Sequence, residues 1–308
     1  MSSLSDIMGG GEAFEGEDVE VCTLLCDGDI VAYRPAAACD GKYYEIKGVP
    51  GRWKYKKDVL AACIDKGLSP EDITSDYDPE PEVHATTGTR MTAQGIERAM
   101  SAHWEFVQSE HYLTESDKNF RLDINPTYKA NRDEVRRPKH LGACKQWLID
   151  NFDAKLCGVL EADDMISVRA TELRAEGKPY VVCSIDKDFN QIPGWHYNWV
   201  NDEYWYIDDE MAREFLWKQV CVGDKTDNIF APEGIGPAKA NKLFANTDWA
   251  TATDDELYKA VTSLYIEFLS KCGKAKKDRG VQAVTDFTDV RCWVEETMSQ
   301  VFLLRARL

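Results

Sequence analysis

Val21-Cys-Thr-Leu-Leu-Cys26 is a short apolar run, bounded like a β-strand and closed by Asp27 and Asp29. Two later stretches repeat the pattern. Leu156–Leu160 (LCGVL) runs into Glu161, Asp163 and Asp164, and Val181–Ile185 (VVCSI) runs into Asp186 and Asp188. A fourth burst, Asp224 and Asp227, lies in the turn Gly223–Asn228 (GDKTDN). Strands and helices alternate to about residue 207, which predicts an α/β fold with a mostly parallel sheet.

Acids gathered at one sheet edge repel one another unless some protonate or cations sit between them. Hard oxygen ligands in this number point to Mg²⁺ or Mn²⁺. Two such ions, about 3.5–4 Å apart, would clamp the attacking and leaving oxygens of a phosphodiester displacement. Acidic helix N-caps are the plainer explanation and would suffice for a single burst. Four bursts, three of them on strand ends, weigh against it, because open α/β sheets place their sites beyond the carboxyl ends of strands.

The bulk composition narrows the classes. An apolar share of 44% and an aromatic share of 11% over 308 residues predict a packed globular chain. A net charge of −17 argues against a simple polycationic nucleic-acid binder, and the nine acids of the bursts make up about half of that excess. The acids Glu71, Asp72, Asp76, Asp78, Glu80 and Glu82 read as a solvated loop. Ten cysteines without a CxxC pair, and five histidines, argue against a zinc site and for a reduced cytoplasmic setting. No signal pattern and no apolar stretch of membrane-spanning length occur.

Along the chain, 1–18 reads as a flexible N-terminus and 19–207 as the sheet domain. The latter carries a hairpin insertion at 42–55 turning at Val-Pro-Gly, a helix at 89–108, and strands at 112–114 and 154–160. Residues 208–308 read as a helical module, with the Gly234-Ile-Gly-Pro237 turn near its start. The segment 117–145 holds eight Lys or Arg against four Asp or Glu, a local excess of +4. Within it Lys129 and Arg132, three apart, share a face if the segment is helical and could then hold a phosphate between them, extended by Arg136, Arg137, Lys139 and Lys145, with a solvated helix face as the plainer alternative. The Gly234–Pro237 turn offers free backbone N–H groups to a phosphate. Tyr33, in the first helix, is a candidate for base stacking, with core packing as the alternative.

In order, Asp27 after a strand, Tyr128-Lys-Ala-Asn-Arg132, Glu161-Ala-Asp163-Asp164, Asp186-Lys-Asp188 and Gly223-Asp224-Lys-Thr-Asp227 with Gly234-Ile-Gly-Pro237 resemble the 5′-nuclease superfamily. That superfamily includes flap endonucleases, the 5′-nuclease domain of bacterial DNA polymerase I and phage 5′→3′ exonucleases; the chain looks most like a stand-alone phage enzyme. The resemblance spans roughly residues 21–245. It implies a PIN-like sheet domain, a basic gateway over 115–145 and a helix–three-turn–helix at about 223–245 that grips duplex DNA. It assigns Asp27, Glu161, Asp163, Asp164, Asp186, Asp188, Asp224 and Asp227 to two Mg²⁺ or Mn²⁺ ions, and Lys129 and Arg132 to the scissile phosphate. Tyr33, Tyr128, Arg136, Arg137, Gly234, Gly236 and Lys239 fall to DNA, with K⁺ at the Gly-rich turn. A further family acid would match Glu115, Asp117 or neither, and Asp29 would only cap the first helix.

The expected activity is a 5′→3′ exonuclease on duplex DNA with a free 5′ end, extending to RNA–DNA hybrids, in a host cytoplasm if phage-encoded and beside replication proteins. A 5′-flap endonuclease with the same site is the close alternative. A non-catalytic DNA-binding replication protein is the alternative from another class.

Overall fold

The computed structural model describes residues 20–115, 119–132, 136–232, 234–272 and 287–302. The N-terminus 1–18, Asp117 and most of the basic stretch Lys271–Arg279 lie outside them.

Strand β1 (Val21–Asp27) is buried from Cys22 to Asp27, as a central strand covered on both faces must be. Cys22, Leu24 and Cys26 enter one core layer and Leu25 the other, the alternation of a pleated strand. Helix α1 (Gly28–Ala38) follows at once. A Cβ at Gly28 would lie 2.6 Å from the Tyr112 carbonyl oxygen, so only glycine lets the helix start this close to the neighbouring strand.

The insertion is a three-stranded antiparallel sheet, β2 (Lys42–Ile46), β3 (Val49–Trp53) and β4 (Ile73–Tyr77), in the order β3-β2-β4 with α2 (Lys56–Asp65) packed on it. Two expectations are corrected here. The hairpin turns at Lys47-Gly48, where Gly48 has φ +76°, while Pro50 sits inside edge strand β3, where a missing N–H is tolerated. The acidic stretch holds strand β4, because Ile73 and Tyr77 pair with Ile46 and Lys42 of β2.

Helix α3 runs Glu82–Met100 and strand β5 runs Phe106–Leu113. The helix expected at 89–108 therefore begins earlier and ends sooner. Phe106–Gln108 are claimed by β1, which pairs with β5 along its whole length. After α4 (Arg121–Ile124) and a 3₁₀ turn at Ala130–Arg132 come α5 (Leu141–Phe152), β6 (Lys155–Leu156), α6 (Ala162–Ala175), β7 (Tyr180–Cys183), a 3₁₀ turn at Lys187–Gln191, β8 (Gly194–Asn198) and β9 (Glu203–Ile207). The strand expected at 154–160 shrinks to two residues, since Gly158 at φ +65° turns the chain and leaves Leu156 and Val159 exposed.

The main sheet has the order β6-β5-β1-β7-β8-β9, parallel except for β9. Beyond it lie α7 (Asp209–Val222), a small ladder of β10 (Gly223–Asp224) with β11 (Ile229–Phe230), then α8 (Pro237–Leu243), α9 (Asp254–Cys272) and α10 (Phe287–Val301). These elements share one core in which Trp217, Ile229, Ile235, Tyr265 and Val294 pack with Tyr128. Among the described residues no helix is long and apolar enough to cross a membrane.

Candidate active site

The acids gather at the carboxyl edge of the parallel strands β1 and β7. Asp27 closes β1 and caps α1, accepting from Ile30 N at 3.2 Å and from Ser184 Oγ at 3.0 Å. Ser184 also receives the Asp186 N–H at 3.1 Å, so one hydroxyl joins the two strand ends. Asp186 caps the next 3₁₀ turn by accepting from Asp188 N at 3.0 Å. Burial, with the charges of Asp29 and Asp186 added, pushes the Asp27 carboxyl up to about 7, against the hydrogen bonds from Ile30 and Ser184. Burial and then the charges of Asp186 and Asp224 push Asp188 up to about 7 as well. Asp224 is buried, accepts from Thr226 N at 2.7 Å and lies 3.8 Å from the Lys187 ammonium.

The second group is arranged differently. Glu161 and Asp164 form a capping box at the start of α6. The guanidinium of Arg121, itself 1% exposed, forks onto Asp164 at 2.6 and 2.8 Å and reaches Glu161 at 3.2 Å. Tyr128 donates its hydroxyl to Glu161 at 2.7 Å and to Asp227 at 3.2 Å. Lys129 pairs with Glu161 and lies 3.5 Å from Asp227, and Arg132 pairs with Asp227. Burial opposes ionisation of Glu161, but Lys129 and Arg121 hold its carboxyl below the usual range. Asp163, half-buried and next to Glu161 and Asp164, is raised by burial and by their charges. Ligand oxygens of Glu161, Asp163 and Asp164 lie within 4.8 Å of one another.

Two loops bring the groups together. Lys129 N–H donates to the Asp227 carbonyl at 2.9 Å, Asn131 Nδ2 to the Lys225 and Thr226 carbonyls at 3.3 and 3.1 Å, and Asn228 Nδ2 to the Thr127 carbonyl at 2.7 Å. Lys129 and Asn228 both take left-handed backbone angles, φ 55° and 62°, to allow this docking. The expected helix face does not form; the 3₁₀ turn and the loop contacts place Lys129 and Arg132 on the acids instead.

Several expected residues have other partners. Tyr128, expected at DNA, is 5% exposed and ties carboxylates with its hydroxyl. Lys145 pairs with Asp29 at 2.6 Å and donates to the Thr114 carbonyl at 3.1 Å, so it leaves the phosphate patch. Asp29 also accepts from Thr114 N at 3.0 Å, and Asp27 rather than Asp29 caps α1. Arg136 pairs with Asp40 and stacks 3.8 Å over Tyr77, whereas Arg137 is exposed. Tyr33 is 40% exposed on α1. Gly234, at φ +93°, lies so close to Phe268 that a Cβ would sit 2.6 Å from the ring, and Lys239 lies 3.8 Å over that ring. Gly236 caps α8. Sequence reasoning missed Arg121, Ser184, Gln191 and Gln219; only Arg121 left a trace, as a lone cation between Phe120 and Leu122.

An all-oxygen donor set whose members raise one another's pKa fits hard divalent cations, which would relieve the repulsion. Asp164 is the member least open to direct ligation, since Arg121 engages both of its oxygens. A parallel sheet with such an edge, flanked by a lysine and an arginine, defines the class: a metal-dependent phosphodiester hydrolase. No family model matches the chain. Flap endonuclease Xni of Vibrio parahaemolyticus is 26% identical over 185 residues, covering 55% of this chain and 70% of the relative. DNA polymerase I of Rhizobium leguminosarum is 31% identical over 140 residues, 42% of this chain and 14% of that protein. A T5 5′-exonuclease structure with bound divalent metal ions (zinc) shares the fold, with a TM-score of 0.52 at 13% identity over 92% of this chain and 89% of that one. With flap endonucleases among its sequence relatives, the fold of the T5 5′-exonuclease and an acidic cluster at the sheet edge, the chain is similar to the 5′-nucleases and is a metal-dependent nuclease.

Proposed function

We propose that the protein is a 5′→3′ exonuclease that works inward from a free 5′ end of duplex DNA and leaves 5′-phosphate products. The observation that carries this reading is the placement of Lys129 and Arg132 directly on Glu161 and Asp227. Asp27, Glu161, Asp163, Asp186, Asp188, Asp224 and Asp227 are the ligands for two Mg²⁺ or Mn²⁺ ions; Asp164 acts through Arg121 and Glu161. When bound, the ions lower the pKa of a water nucleophile and neutralise the leaving 3′ oxygen. With ions held there, Glu161 and Asp227 would no longer need Lys129 and Arg132, whose charges would be free to meet the phosphate. There Lys129 supplies a point charge and Arg132 a two-pronged grip. Tyr33 faces the terminal nucleotide, Arg137 contacts phosphate, and the Gly234–Pro237 turn meets the duplex backbone with K⁺ among its carbonyls.

Cleavage of 5′ flaps by the same site is the second reading, favoured by the activity that the Vibrio relative is named for. Digestion of duplexes labelled at the 5′ or the 3′ end, with and without Mg²⁺ or Mn²⁺, tests the proposal. The 5′ label should leave first, as mononucleotide and only with metal. Release from the 3′ end, or none, would sink the reading. A flapped duplex yielding one long oligonucleotide would favour the second reading, and an RNA–DNA hybrid arm measures RNA tolerance.

A further inference from the structure

The last carbonyls of a helix lack intrahelical partners and carry the negative end of its dipole. At the end of α10 three successive carbonyls find donors that lead straight to the acids. The Gln300 carbonyl accepts from Arg121 Nε at 2.8 Å and the Phe302 carbonyl from Arg121 Nη2 at 3.2 Å. The Val301 carbonyl, between them, accepts from Gln191 Nε2 at 2.7 Å. From Arg121 the connection runs on to Asp164 and Glu161. From Gln191 it runs the other way. The same amide donates to Gln219 Oε1 at 2.7 Å, and Gln219 Nε2 donates to Asp188 Oδ1 at 3.1 Å. Arg121, Gln191 and Gln219 are all buried, so water does not compete for these bonds.

We infer that the end of α10 is a bracket that fixes the separation of the two carboxylate groups, with Arg121, Gln191 and Gln219 as positioning residues. This rests on the reading of the acids as metal ligands. The two groups hang on different elements, the start of α6 and the turn after β7. A pair of ions requires a fixed distance between its ligand sets. The helix end supplies it with backbone oxygens that cannot change rotamer. Outer contacts of this kind set how ligands are aimed.

Coupling between sites is reciprocal, so ions bound at the acids must stiffen the bracket in turn. Hydrogen exchange across residues 294–302, with and without Mn²⁺, reads this in the unaltered protein. Exchange should slow in the last turn of α10, which holds none of the acids. Gln219→Leu keeps the volume and removes the amide relay. It should weaken Mn²⁺ binding, followed by calorimetry, by about 10–100-fold and abolish the protection at 294–302. Circular dichroism and metal-free duplex affinity should not change. Exchange at 294–302 indifferent to Mn²⁺ in the parent would overturn the inference, as would parent-like Mn²⁺ affinity in the folded variant. A parent that binds no Mn²⁺ would sink the metal-site reading itself, a result distinct from both. The parent measurement needs no substitution, so it decides the matter even if Gln219→Leu misfolds.

Discussion

Glu161, buried, and Asp188, half-buried, stand at the same sheet edge, yet their environments push them in opposite directions. Glu161 is surrounded by Arg121, Tyr128 and Lys129 and stays ionised below its usual range despite burial. Asp188 is pushed up to about 7 by burial and by the charges of Asp186 and Asp224, with Lys187 giving partial relief. One half of the site is neutralised in advance by the protein's own cations, and the other half waits for cations from solution. Asp163 crosses the divide. It sits beside Glu161 but is raised by burial and by its own neighbours, and no ion pair reaches it among the described residues. Such an asymmetric arrangement can fold without metal and still bind it avidly, because the repulsion is confined to the half that metal relieves.

The contrast predicts opposite outcomes for two substitutions. Asp186→Asn removes a charge from the unneutralised half. Single-turnover cleavage should fall by roughly a thousandfold, the several kcal/mol an electrophilic ion contributes, while metal-free stability holds or rises. A drop in urea midpoint would break the comparison. Arg121→Met strips the neutralised half, leaving Asp164 buried without its forked cation and Glu161 with Lys129 alone. Chemical denaturation should register a loss of about 3–5 kcal/mol; a loss below about 1 kcal/mol would mean that Arg121 neutralises little.

A smaller effect comes from a group away from both halves. His111 in β5 packs edge-on to Phe152, and burial pushes its imidazole down to about 4 from the usual 6.5. Because this base is depressed in the folded state, the unfolded chain takes its proton first. Stability is therefore full above about pH 6.5 and drains as pH falls toward 4, at up to about 1.4 kcal/mol per pH unit. Urea titrations at pH 6.5 and 5 should differ by about 2 kcal/mol more in the parent than in His111→Leu. Equal slopes would show that the imidazole is already charged in the fold.

The sheet and its acids could be read from the sequence because each signal is local. An apolar run ending in Asp27 or Asp186 carries its meaning within ten residues. What failed was non-local or hinged on one backbone angle. Arg121 earns its place through partners 43 and 179 positions away, Asp164 and Gln300. Tyr128 reads as a surface aromatic until Asp227, 99 positions on, captures its hydroxyl. The apolar letters of Leu156–Leu160 promise a strand, but Gly158 turns the chain instead. Ile73–Tyr77 hides a strand behind an aspartate that faces outward on the insertion sheet.

The left-handed backbone of Lys129 has a consequence for how the enzyme can be improved. A side-chain-bearing residue at φ 55° costs about 1–2 kcal/mol relative to glycine. Lys129→Gly relieves that strain and yet strips the ammonium paired with buried Glu161, so it should melt lower than the parent in thermal scans. A hardier variant at this position has to keep a cation on Glu161 as well as the left-handed turn.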